Sequence, residues 1–371
     1  MKIGIVVPFS WSYWGGVVEH SENQAAALRA RGHDVKILMG HDPPGVMTRF
    51  LHPRSGRHGD LPPDVIPLGR SVVVPANGSL PNIVLSPRSI GRVRDTLCRE
   101  RFDVVHVHEP FTPAICVATL AFADCPVVAT WHAAGKLGWM RVGMPVWGFL
   151  MERIETRIAV SRLAAESAEA WLGGSFEIVP NGVVLPPHAD PRGREHRIVF
   201  IGRHDARKGL PVLLRVWPEI RRRTGARLRL IGTDPLQYRL LHARMRFDED
   251  GIDVLGIVPN EQRDAELAAA KAFVSPALGG ESFGMVLVES FATATPVVAS
   301  DIPGFADVVT PEAAELVPPG DERALADAVC ALLEDEDRRV AMGHAGRELA
   351  VSFSWDGIAE RLEEIYRRAA A

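Results

Sequence analysis

The chain has 371 residues, 47% hydrophobic and 24% charged, with a formal charge of −4; this is the balance of an ordinary globular protein long enough for two domains, each with its own core. No apolar run reaches about 18 residues, which argues against a membrane-spanning helix, and no Lys/Arg run is interleaved with aromatics in the manner of a nucleic-acid surface. Cys98, Cys116, Cys125 and Cys330 are too sparse for a disulfide framework and lack paired metal-ligand spacing, so reduced thiols in a cytoplasmic protein are expected.

Lys2 is followed by five apolar or glycine residues before Pro8, a run that reads as a first strand at 3–7 rather than a secretory leader. Gly15-Gly16 lies in the following strand-to-helix loop, ahead of a helix opening near Val17 to Glu19. Two glycines alone mark a plain turn. After the first strand of an α/β sheet they also let a phosphate approach bare backbone, and the position favours this second reading. Strand-like runs at 35–39, 104–107 and 127–130 then alternate with helix-like stretches such as 20–31, the βαβ order of a parallel sheet with helices on both faces. A polar, proline-rich passage at 185–197 interrupts the alternation, which restarts with runs at 198–201, 228–231, 273–275 and 297–299. Two doubly wound α/β domains are therefore expected. The parts differ in charge: 18 basic and 16 acidic residues lie before residue 181, against 24 and 30 after it.

Three segments carry candidate chemistry. Gly202-Arg203-His204-Asp205-Ala206-Arg207-Lys208-Gly209 follows an apolar strand, and open α/β sheets bind ligands at the carboxyl ends of their strands. Arg203 and Lys208 there have the charge to neutralise a diphosphate, the first as a planar fork and the second as a point charge. In Gly279-Gly280-Glu281-Ser282-Phe283-Gly284-Met285-Val286-Leu287-Val288-Glu289, glycines and the unpaired amides of a helix start make an anion site. Roughly two helical turns separate Glu281 from Glu289, so one carboxylate can meet a sugar and the other a ribose. Glu289 sits among apolar neighbours, where a free carboxylate needs a partner that a ribose hydroxyl pair would supply. His132 ends a strand on the ligand side. His106 and His108 share one strand face beside Glu109, but with no third ligand at suitable spacing a metal site is not expected, and they read as lining of a cleft. No G-x-G-x-x-G follows a strand, which disfavours a nicotinamide enzyme.

These segments, with Val179-Pro180-Asn181-Gly182-Val183, resemble family 4 of the glycosyltransferases, retaining enzymes with two Rossmann-like domains facing a cleft, the GT-B fold. Met1 to Ser10 with Gly15-Gly16-Val17 and His106-Val107-His108-Glu109-Pro110 resemble the phosphatidylinositol mannosyltransferases within that family. The resemblance implies an acceptor-binding domain over 1–184, a nucleotide-sugar domain over 185–353 and a last helix, 354–371, crossing back to the first. It implies hexose transfer without a metal cofactor, from GDP-mannose or next a UDP-hexose. Donor contacts fall on Gly15, Gly16, Arg203, Lys208, Glu289 and the run from Gly280 to Val286. His132 lies by the sugar's 6-hydroxyl. Catalysis is assigned to His132, Arg203, Lys208 and Glu281, and acceptor binding to Phe9, Asn77, Ser79, His132 and Lys136. Where those enzymes place arginines after the Asn77-Gly78-Ser79 loop, this chain has Asn82 and Val84, so a hydroxyl-bearing lipid or small polyol related to phosphatidylinositol is expected.

Two stretches of the first part point to a peripheral membrane surface. One is the Trp- and Met-rich run 137–151 with Lys136, Arg141 and Arg153 nearby; the other carries Arg88, Arg92, Arg94, Arg99 and Arg101. The bland readings are core packing and a solvated helix. A catalytically idle lipid- or partner-binding protein is the rival of another class, and the intact pair Arg203 and Lys208 with both glutamates speaks against it. An epimerase would need acid/base carboxylates at the reacting carbon, and a phosphorylase a pyridoxal-binding lysine.

Overall fold

The computed structural model describes every residue except 46, 47, 49–59, 75–80, 134–143 and 204. The chain forms two compact units, Met1–Gly182 with Trp355–Ala371, and Val183–Ser354.

The first unit is built on β1 (Lys2–Ser10), β2 (Asp34–Gly40), β3 (Val65–Gly69), β4 (Val72–Val73), β5 (Asn82–Ile83), β6 (Val104–His108), β7 (Val127–Trp131), β8 (Thr156–Ala159) and β9 (Glu177–Ile178). The main path runs β3-β2-β1-β6-β7-β8-β9 with all neighbours parallel, while β4 and β5 form a short antiparallel edge joined to β1 where Phe9 opposes Ile83. Both faces are covered, and the pleat divides the apolar residues between them. Ile3, Ile5 and Val7 pack with Val18, Ala25 and Leu28 of the helix Gly16–Ala30 and with Ile358, Leu362 and Tyr366 of the helix Trp355–Ala369. Val6, Val105 and Val107 pack on the other face with Val93 and Leu97 of the helix Pro87–Glu100 and Ile115 of the helix Ile115–Phe122.

The second unit is a six-stranded parallel sheet of β10 (Glu195–Ile201), β11 (Arg227–Ile231), β12 (Ile252–Gly256), β13 (Ala270–Ser275), β14 (Val297–Ser300) and β15 (Ala314–Val317), in the order β12-β11-β10-β13-β14-β15. This is the doubly wound order, whose direction reverses between β10 and β13, and ligands of such sheets bind outside the strand ends at that reversal. The first sheet reverses between β1 and β6. Ile198 and Phe200 pack against Leu213, Trp217 and Ile220 of the helix Leu210–Thr224. Arg194, from the proline-rich passage, is buried here; its guanidinium donates to the carbonyls of Leu267, Ala270 and Thr293 and to Thr295 Oγ1.

The described part of the Trp- and Met-rich run is the helix Met144–Met151, where Leu150 and Met151 are buried and Phe149 is exposed. All four cysteines are free, and no described helix is long and apolar enough to cross a membrane.

Candidate functional site

The reversal point of the second sheet brings the two predicted segments together, because the loops after β10 and β13 leave adjacent strands. Asp205 caps the short 3-10 turn Ala206–Lys208, accepting from Arg207 N at 2.9 Å. Arg207, given no role by the sequence reading, braces the two loops: its guanidinium pairs with Asp205 at 2.6 Å and donates to Gly280 O at 3.2 Å, while its carbonyl accepts from Leu278 N at 2.7 Å. Lys208 Nζ lies 2.8 Å from Glu281 Oε1, so the two predicted catalytic charges are each other's partners. Arg203 is exposed and carries no ion pair among the described residues.

Gly279, Gly280 and Gly284 have φ of 137°, 73° and 87°, conformations that glycine adopts without strain, and Gly284 caps the helix Met285–Ala292. Ser282, Met285 and Val286 are half-buried at its start. Phe283 is buried edge-on against Phe353 at 5.8 Å, so what it has to offer a ligand is main chain, not ring. The loop after β14 closes in from below: a Cβ on Gly304 would lie 1.9 Å from Glu281 O.

Glu289 is buried, and the structure supplies a partner within the chain. Arg263 Nη1, from the helix Asn260–Ala269, stands 3.2 Å from Glu289 Oε1. The sequence reading left the carboxylate to a ribose alone. Nothing local marks Arg263, because the pairing exists only once two helices meet.

In the first unit Gly15 caps the helix Gly16–Ala30 in extended backbone, φ −169°, and a Cβ on Gly15 or Gly16 would meet nothing within 4 Å. No described neighbour therefore demands glycine at either place. Phe9 is half-buried in β1. Asn77, Ser79 and Lys136 lie outside the described residues.

The histidines require a correction. His106 and His108 do not line an open surface; they are 1% and 0% exposed. His106 Nδ1 is 2.5 Å from Tyr366 Oη and its Nε2 is 2.7 Å from Thr130 Oγ1, with Gln24 Nε2 2.9 Å from the same Nδ1. The last helix is thus tied by a polar network to the centre of the sheet. His108 Nδ1 stands 2.8 Å from His132 Nε2, and His20 packs edge-on against both rings. The fold thereby supplies the third histidine that linear spacing lacked: one ring nitrogen each of His20, His108 and His132 lie within 4.8 Å of one another. Burial holds all these imidazoles neutral, His132 down at about 4 and His106 at about 3. Glu109, at φ 52°, faces main chain: its Oε1 accepts from His132 N at 2.9 Å and Ala133 N at 3.1 Å, and burial raises its pKa against the pull of those two amides.

Two doubly wound parallel sheets in one chain, each with glycine-rich loops at its reversal point, define the GT-B class of glycosyltransferase fold. Solved structures agree at the level of fold. A sucrose-phosphate synthase from Thermosynechococcus elongatus superposes with a TM-score of 0.77 at 21% identity, over 99% of this chain and 98% of that one. Anabaena HepE in complex with UDP and glucose gives 0.73 at 17% identity, over 99% and 100%. Residues 14–185 match the model described as Glycosyltransferase Family 4, and residues 195–335 that described as Glycosyl transferases group 1. The phosphatidyl-myo-inositol mannosyltransferase of Mycobacterium leprae is 35% identical over 100% of this chain and 97% of its own length; that of Mycolicibacterium smegmatis is 32% identical over 99% and 93%. The chain belongs to glycosyltransferase family 4 and is a hexosyltransferase by that membership.

Proposed function

We propose that the chain is a retaining mannosyltransferase that moves mannose from GDP-mannose to the inositol hydroxyl of a phosphatidylinositol-like lipid. The observation that carries this is the ion pair of Lys208 with Glu281, set between two loops at the sheet's reversal point, in a chain whose similar full-length relatives are phosphatidyl-myo-inositol mannosyltransferases.

In this reading the donor's diphosphate lies against Arg203, Lys208 and the amides that open the helix Met285–Ala292. As the glycosidic C–O bond breaks, negative charge grows on the β-phosphate, and fixed cations and amides stabilise that charge more than the ground state. Glu281 holds sugar hydroxyls and Glu289, steadied by Arg263, the ribose. His132 meets the sugar's 6-hydroxyl as a neutral imidazole. In this reading no carboxylate acts as a nucleophile, and transfer takes place on one face of the sugar, with the departing phosphate oxygen accepting the acceptor's proton. The fitting assay offers radiolabelled GDP-mannose and UDP-glucose against phosphatidylinositol, other glycerolipids and free polyols. Mannosylated phosphatidylinositol is the expected product. Transfer from UDP-glucose alone would overturn the donor, and labelling of other acceptors alone would overturn the lipid.

A small polyol as acceptor is the second reading: where the resembled enzymes place arginines, Val84 is fully buried and Asn82 is half-buried with its Oδ1 unpartnered among the described residues, and neither side chain brings a positive charge to a lipid phosphate.

Membrane attachment is a separate proposal. On the helix Pro87–Glu100 the residues Ser89, Val93, Thr96 and Leu97 are buried, which leaves Arg88, Arg92, Arg94 and Arg99 on the exposed side with Ile90. The protein is expected to co-sediment with anionic vesicles and to be released as salt screens the charges. Equal recovery with neutral and anionic vesicles, or none with either, would refute it.

A further inference from the structure

Two ion pairs lie side by side in the loops after β10 and β13, and they are built differently. Arg207 is held at several points: its Nε lies 3.2 and 3.0 Å from the two Asp205 carboxylate oxygens, its Nη2 lies 2.6 Å from the second of them, and its Nη1 donates to Gly280 O. A planar fork gripped in this way stays put. Lys208 and Glu281 meet through Nζ and Oε1 at 2.8 Å, and both side chains are partly exposed. An ammonium is a point charge that takes partners from any direction, so this second pair can be exchanged.

The main chain on either side of the exchangeable pair is fixed. Lys208 N donates to Asp205 O at 3.0 Å within the 3-10 turn. Gly280 O is taken by Arg207, and Gly304 packs so closely that a Cβ there would lie 1.9 Å from Glu281 O. Side-chain rotation is therefore the motion by which the pair parts. All of these groups belong to the second unit.

A phosphate that takes Lys208 must draw it away from Glu281, and the released carboxylate then needs hydrogen-bond donors of its own. Sugar hydroxyls supply them. A nucleoside diphosphate without its sugar supplies none, and its terminal phosphate, ionising at about pH 6 like other phosphate monoesters, brings a second negative charge towards the same carboxylate at neutral pH. Asp205 does not compete in this way, because Arg207 occupies it.

We propose that Glu281 discriminates a nucleotide sugar from the spent nucleoside diphosphate: it competes for Lys208 with any diphosphate that brings no sugar, and thereby favours release of the product. This role rests on the donor reading given above, in which Glu281 holds sugar hydroxyls.

The test is calorimetric titration of the full chain with GDP, GDP-mannose, UDP and inorganic diphosphate, each variant first shown to be folded by thermal unfolding. Glu281→Gln keeps the shape of the side chain and removes its charge. It should bind GDP and inorganic diphosphate on the order of fivefold more tightly, the scale of one partly exposed charge pair, and GDP-mannose no more tightly than before, so that the preference for the sugar-bearing donor falls. Glu281→Ala, a second variant without the carboxylate, should tighten GDP binding likewise. Asp205→Asn removes the neighbouring carboxylate that Lys208 does not use, and should not tighten it. Equal tightening of GDP in Asp205→Asn would reduce the effect to general repulsion and overturn the competition. Equal tightening of GDP and GDP-mannose in Glu281→Gln would show that the carboxylate does not read the sugar, and would overturn the discrimination. Binding of GDP by the unaltered chain that neither Glu281 variant improves would refute this role alone, whereas no binding of GDP, UDP or inorganic diphosphate by the unaltered chain would refute the donor site and this role with it.

Discussion

Lys208→Ala and Arg203→Ala are each expected to lower kcat by about 10²–10³-fold, the scale seen when one pre-set group facing a developing oxyanion is removed. The two losses should differ in kind. Lys208 is 2.8 Å from Glu281, and the two side chains are 28% and 16% exposed, so the alanine variant leaves a poorly solvated carboxylate without its cation beside the proposed diphosphate site. Repulsion would then weaken donor binding as well as turnover. Arg203 is exposed, and its loss removes a cation without stranding a partner, so kcat should fall with little change in donor affinity. Steady-state kinetics with GDP-mannose and calorimetric donor binding separate the cases, with circular dichroism to show that both variants remain folded. Near-normal kcat in both would refute the phosphate assignment.

Gly209→Ala should produce the largest loss of stability. Gly209 has φ 71° and caps the helix Leu210–Thr224, and a Cβ there would lie 1.7 Å from Pro276 O and 2.6 Å from Pro276 C. Neither partner is a flexible side-chain end, so the backbone of one loop must move, dragging Lys208 out of register with Glu281. Gly225 provides the control. Its φ is 72°, but a Cβ there meets nothing within 4 Å, so alanine incurs only the left-handed penalty of roughly 1 kcal/mol. Against that, Gly209→Ala should cost about 4 kcal/mol or more, which at about 2–4 °C per kcal/mol for a unit of this size lowers Tm by roughly 8–16 °C. Thermal unfolding of both variants checks the comparison. Similar Tm values would show that the loops after β10 and β13 are not in the close register described.

Much of the architecture was legible from neighbours in the chain. Apolar runs at 3–7, 104–107, 198–201 and 273–275 fall inside β1, β6, β10 and β13, since a strand buried on both faces must be apolar throughout. The glycines at 279, 280 and 284 were an equally local matter of backbone freedom, whereas the last helix, Trp355–Ala369, was expected from the family resemblance. The two-residue strands β4, β5 and β9 were not legible, because a pair of residues has no period and exists as strand only by pairing. Partnership was the other thing hidden. Sequence placed Arg203, Lys208 and Glu281 in loops after strands and Glu289 on a helix, but that Lys208 meets Glu281 and that Arg207 is a brace follow from strand order, which puts β13 beside β10, and that Arg263 reaches Glu289 follows from the packing of two helices. The same cause turned two histidines read as cleft lining into a buried network, with His20 from a helix, His106 and His108 from β6 and His132 from the end of β7. The sequence by itself determined which longer segments are strands and which glycines make tight turns, because neighbouring residues settle those choices; the tertiary structure alone decided which charge faces which and which imidazoles are buried against one another, because those energies arise between groups that only the closed sheet brings together.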